Sequence, residues 1–75
     1  MPSQTIRLIF PSRLQDEPII NLMLREYSFT VNILRANVSD EKGWMDIQIA
    51  GKSAEIESAL KWLREKGVEV EVLSS

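Results

Sequence analysis

Apolar and polar residues alternate in four stretches of this chain and recur at helical spacing in two others. From Gln4 to Phe10, the residues Ile6, Leu8 and Phe10 alternate with Thr5, Arg7 and Ile9, the period of a strand with one buried face. Pro11 lacks the N–H that a ladder needs and predicts the strand's end, with a short loop from Pro11 to Gln15 after it. Asp16, Glu17 and Pro18 then form a helix start: a capping carboxylate, an acid for the positive end of the dipole, and a proline tolerated in the first turn. The helix runs to about Tyr27, with Ile20, Met23, Leu24 and Tyr27 as its core-facing stripe and Ile19 and Leu22 widening it.

The second strand, Phe29 to Val38, reads less simply. Val31, Ile33, Arg35 and Asn37 share one side, and Asn32, Leu34, Ala36 and Val38 share the other. The end towards Val38 sets the register, because Ala36 and Val38 oppose Arg35 and Asn37. This predicts Asn32 on the core side and leaves Val31 and Ile33 on the open face. Ser39 to Gly43 is a polar turn of hairpin length. Trp44 to Ala50 alternates cleanly, with Met45, Ile47 and Ile49 on one side and Trp44, Asp46 and Gln48 on the other.

Gly51 breaks that strand, and Ser53 is the expected N-cap of a second helix carrying the stripe Ile56, Ala59, Leu60 and Leu63. Gly67 is its expected left-handed cap. Val68 to Leu73 alternates valine with glutamate as a last strand. The order strand, helix, strand, strand, helix, strand, joined by right-handed crossovers, predicts the ferredoxin-like α+β arrangement. It has a four-stranded antiparallel sheet in the order 4-1-3-2 with both helices on one face. The other face is bare, and the second and fourth strands are edges. An apolar cluster of Ile9, Ile33 and Trp44 is expected on the bare face, which with Val31 makes these residues interface candidates.

Composition narrows what such a domain can do. Seventy-five residues make one domain, 1–75, with a modest core. The 44% hydrophobic and 27% charged content excludes disorder for its body. There is no Cys and no His, which removes thiol nucleophiles, imidazole bases and the usual zinc sites. No cofactor or metal is expected. A net charge of −2 argues against nucleic acid, and no apolar run approaches the roughly 20 residues that span a bilayer. A cytoplasmic protein, or a domain excised from one, is the expectation.

Candidate chemistry is sparse. An RNA-binding sheet of this topology stacks bases on aromatics of its two central strands, and here those strands offer only Trp44 outward. Trp44 reads as a hairpin cover or part of a dimer contact, and Trp62 as a flank of the core. The acidic pairs Asp16–Glu17 and Asp40–Glu41 read as a helix cap and a solvated turn. No carboxylate pair, phosphate loop or nucleophile elbow is present, so an enzyme is not expected. Asn32 stands out as the one polar residue placed on the core side of a strand. It either bonds loop backbone or holds the polar groups of a small ligand.

At Asn32-Ile33-Leu34 the chain resembles the NIL domain, named for that tripeptide. The resemblance runs from Arg7 to Leu73, through Arg7-Leu8-Ile9-Phe10, Asp16-Glu17-Pro18-Ile19-Ile20, Gly43, and the stretch from Ala59 to Leu73. It implies a ferredoxin-like regulatory domain of the kind found at the C-terminus of bacterial methionine importer ATPases, where paired domains bind methionine and inhibit transport. By that match Asn32 is the leading ligand-binding residue, with Ile33 and Leu34 shaping the sheet and the contact. A homodimer binding methionine or a related sulfur amino acid is the expectation. An adaptor docking on an iron–sulfur or sulfur amino-acid metabolism protein is the alternative. The chain departs from the importers in carrying no ATPase and in its shorter hairpin, where Gly43 leads directly into Trp44-Met45. The hairpin looks like that of NIL domains that stand alone or precede a four-iron ferredoxin module, although no cysteine is present here to hold a cluster.

Overall fold

The computed structural model describes residues 3–14, 17–38 and 42–74. Its elements are β1 (Ser3–Pro11), a 3-10 turn (Ser12–Leu14), α1 (Ile19–Glu26), β2 (Thr30–Val38), β3 (Lys42–Ala50), α2 (Ser53–Glu65) and β4 (Glu69–Ser74). The strands form one antiparallel sheet in the order β2-β3-β1-β4, which is the expected order read from the other edge. Both helices pack on one face: Ile19 and Met23 of α1 and Ile56, Ala59, Leu60 and Leu63 of α2 share a core with Ile6 and Leu8 of β1 and Ile47 and Ile49 of β3. Each Ile, Leu or Met among them contributes about 1.5–3 kcal/mol by leaving water. Trp62 flanks this core, as expected.

The helix ends depart from the sequence reading in detail. Asp16, the expected cap of α1, lies outside the described residues, as do 39–41 of the hairpin turn. Pro18 stands at the N-cap of α1 rather than inside its first turn, and Leu24 is exposed, because the buried side of this short helix centres on Ile19 and Met23. In α2 the N-cap is Lys52, with Ser53 already helical and no side-chain cap bond. Gly67 does close α2 in the left-handed region, at φ 100. Val68 N–H donates to Leu63 and Gly67 N–H to Arg64, the paired bonds of a Schellman motif.

The principal correction concerns β2. Val31 lies opposite Ile49, Asn32 opposite Gln48 and Ile33 opposite Ile47. Further along, Arg35 lies opposite Asp46, Ala36 opposite Met45 and Asn37 opposite Trp44. The register shifts between Ile33 and Arg35, so Leu34 is the extra residue of a β-bulge. Directly opposed residues share a face. The second half of β2 therefore has the predicted orientation and the first half has the reverse. Val31 and Ile33 lie on the helix side, and Asn32 lies on the bare face. The expected cluster of Ile9, Ile33 and Trp44 loses Ile33, while Ile9 and Trp44 remain opposed across β1 and β3. A second irregularity, where β4 passes β1 at Thr5 and Ile6, leaves Leu73 between Val72 and Ser74 without a register partner.

Candidate functional site

Three segments meet at one end of the sheet and leave a cavity of about 270 Å3. The end of β1 and the 3-10 turn supply Phe10 and Leu14. The approach to α1 and its first turn supply Glu17 through Asn21. The paired ends of β2 and β3 supply Asn37, Gly43, Trp44 and Met45. Pro18 and the first turn of α1 form one side of the cavity, and Gly43 lies beside Trp44 on the other. Most of the lining is apolar. Glu17, Asn21 and Asn37 bring a carboxylate and two amides to it.

Beside this cavity the bare face carries a charge cluster. Register opposes Arg7 on β1 to Asp46 on β3, and Asp46 in turn to Arg35 on β2. Arg7 donates from Nε to Asp46 Oδ1 at 2.7 Å and from Nη2 to Oδ2 at 3.0 Å, a fork on a carboxylate. Arg35 donates from Nε to Oδ2 at 3.1 Å. Asp46 is only 1% exposed although it points to the bare face, because the two arginines cover it. The Arg7 guanidinium also lies 4.7 Å from the centre of the Trp44 ring. Hydrogen bonding from Arg7 holds the Asp46 carboxyl below the usual carboxylate range, against the opposing effect of its burial.

That shift has a pH consequence with a definite sign. A carboxyl whose folded pKa is depressed stabilises the fold above its unfolded value, about 3.9, and loses that contribution as pH falls through the folded value. The stability difference between the parent chain and Asp46→Asn should therefore be greatest near neutral pH and shrink below about pH 4. Urea melts of the two proteins across that range measure it, and a constant difference would contradict the assignment.

The structure distributes the sequence-derived candidates unevenly. Asn32 is exposed on the bare face and is not part of the cavity wall. Ile33 and Leu34 are 55% and 49% exposed at the bulge. Val31 is half-buried against the core, Ile9 is half-buried on the bare face, and Trp44 alone among the candidates lines the cavity. Sequence reading gave Arg7, Asp46 and Asn37 no role. Opposite charges pointing outward on neighbouring strands were the available signal for the first two. Among the described residues, no three acidic, His or Cys side chains gather as a metal site would require. No helix is long and apolar enough to cross a membrane among those residues.

Comparison with known proteins agrees with this architecture. The NIL domain family profile matches residues 4–72. An uncharacterized protein of Synechococcus elongatus is 33% identical over 73 residues, covering 93% of this chain and 90% of that protein. The methionine import ATP-binding protein MetN of Helicobacter pylori is 32% identical over 71 residues, which is 89% of this chain but 22% of the importer subunit. The crystal structure of the C-terminal domain of an ABC transporter ATP-binding protein from Enterococcus faecalis superposes with a TM-score of 0.80 at 31% identity, covering 93% of this chain and 82% of that one.

Proposed function

The chain belongs to the NIL domain family, and from that premise we propose that it is a small non-enzymatic regulatory module that binds methionine or a related sulfur amino acid. The observation that carries this reading is the cavity at the head of α1. Phe10, Trp44 and Met45 offer an apolar lining for a thioether side chain. Glu17 suits an α-ammonium, and the amides of Asn21 and Asn37 suit an α-carboxylate. The naming of several relatives as methionine import ATPases supports the same ligand class.

Asn32 enters this reading through a second copy of the chain. It lies five residues before Asn37 on β2, about 15 Å along an extended strand, and is not part of the cavity wall. In this reading Asn32 reaches the ligand of a partner chain. Ile33 and Leu34, exposed beside it on the same edge strand, would form part of that contact. A ligand shared by two copies favours the paired state by linkage. The module acts in the cytoplasm in this reading, with no cofactor.

A thermal-shift panel of the twenty amino acids, homocysteine and S-adenosylmethionine tests it. At a hundred times its Kd a ligand adds about 2.7 kcal/mol, a rise in Tm of roughly 10–20 °C in a domain of this size. Methionine should produce the shift, and both Asn37→Ala and Asn32→Ala should reduce it. Sedimentation should show dimers gained with methionine in the parent and not in Asn32→Ala. No shift with any compound at millimolar concentration would replace this reading with that of a protein-interaction adaptor. Such an adaptor would dock on a protein of sulfur amino-acid metabolism through the apolar residues of the β2 edge.

A further inference from the structure

Trp44 belongs to two structures at once. It lines the cavity, and it stands on the bare face of the sheet, opposite Ile9 on one side and Asn37 on the other. A tryptophan near the end of a strand, on a face no helix covers, has two side-chain torsions with little to hold them. Here a charged side chain lies against the ring. The Arg7 guanidinium lies over the ring at 4.7 Å, and that guanidinium is itself immobilised by its fork on Asp46.

Asp46 also accepts a single longer bond, 3.1 Å, from Arg35 on the neighbouring strand β2, whose side chain is 68% exposed. With both arginines in place the Asp46 side chain is 2% exposed. If Arg7 swung away, Asp46 would lose its cover and exchange the two charge-assisted bonds of the fork for bonds to water. Lysine at position 7 could supply charge to Asp46, but it has no plane to lay on the indole and no fork to fix that plane. The chain Asp46–Arg7–Trp44 thus runs from β3 to β1 and back to Trp44 on β3, at a wall of the cavity.

We propose that Asp46 is a positioning residue for the cavity: acting through Arg7, it holds the Trp44 ring as a rigid wall against which a ligand packs. This deepens the ligand-binding reading and rests on it for the ligand, but the ordering of the ring does not depend on any ligand. Preorganisation of this kind raises affinity by removing the cost of fixing the side chain at binding.

The test uses the whole chain with Trp62→Phe, so that Trp44 is the sole indole. Acrylamide quenching of Trp44 fluorescence is measured in this parent and with Arg7→Lys, Asp46→Asn or Arg35→Met added. Circular dichroism and melting confirm that each is folded at the working temperature. Arg7→Lys and Asp46→Asn should raise the quenching constant about twofold and weaken L-methionine binding about two- to fivefold, the change that losing an exposed cation–π contact corresponds to. Arg35→Met removes a partner of Asp46 without touching the ring, and should change both readings much less.

Unchanged quenching in Arg7→Lys and Asp46→Asn would overturn the proposal. So would an equal rise in Arg35→Met, since that would mean a general loosening of the sheet. Looser rings with unaltered methionine affinity would also overturn it, because the wall would then be irrelevant to binding. If the parent binds no methionine, the ligand reading fails on its own, and the quenching comparison still decides whether Asp46 orders the ring.

Discussion

Replacing Ile47 with alanine is expected to destabilise this domain by about 2–5 kcal/mol, the cost of emptying a fully buried isoleucine site. Ile47 is 0% exposed on central strand β3, with Ile6 opposite it on β1 and Ile33 opposite it on β2. The methyl groups lost cannot be replaced by collapse, since the strands on both sides are held by their ladders. A 75-residue chain has only roughly 4–11 kcal/mol of stability in total. The loss should lower Tm by roughly 8–40 °C, which a melting curve followed by circular dichroism reads directly. Ile33→Ala is the internal control. Ile33 shares the same register position across the sheet but is 55% exposed, and its loss should change stability by about 0.5 kcal/mol or less. If Ile33 matters, it should matter for association, and the two isoleucines separate the core from the edge.

The second large effect is expected from Gly51→Ala. Gly51 is buried where β3 ends, and a Cβ there would lie 2.6 Å from Cβ of Phe29 and 3.4 Å from its Cα. The obstacle sits next to the backbone, so no rotamer change relieves it. Phe29 is also constrained on its other side. Its ring stacks on Tyr27 with centroids 5.6 Å apart, and the Tyr27 hydroxyl donates to the Ser58 carbonyl of α2. Moving Phe29 therefore disturbs the junction of α1, β2 and α2 together. Overpacking of this kind costs about 1–3 kcal/mol. Urea melts should show a lower midpoint with an unchanged m-value. A melt identical to the parent's would mean that the strand end yields without cost. Gly67 differs in kind, because its φ of 100 makes a side chain unfavourable through backbone strain whatever the space around it.

These two sites show why the fold was legible in the sequence and the candidate site was only partly so. Ile47 falls in a strand whose alternation is clean over its length, so its burial follows from pattern alone. The stripe Ile56, Ala59, Leu60 and Leu63 is equally plain, and all four are buried. β2 could not be read this way. A period of two assigns every residue of a strand to a face from any one of them, and one extra residue reverses the assignment on its far side. Leu34 is that residue. The mixed signal of β2, with apolar residues on both sides, is the mark of the bulge, and a single register drawn through it puts Asn32 inward.

The cavity was illegible for another reason. Its wall comes from β1, the start of α1 and the paired ends of β2 and β3, segments with no shared spacing in the chain. Arg7 and Asp46 are 39 positions apart, and each alone is an ordinary charge on the polar side of a strand. What the amino-acid sequence determined by itself was local: the periods, the breaks and the cap at Gly67, and through them the order of elements and a topology that few arrangements satisfy. The tertiary structure decided the bulge in β2, the burial of one carboxylate between two arginines, and the placing of Trp44 beside an apolar cavity. Each of these depends on which residue of one strand lies opposite which residue of another, and that pairing exists only after the sheet has closed its ladders.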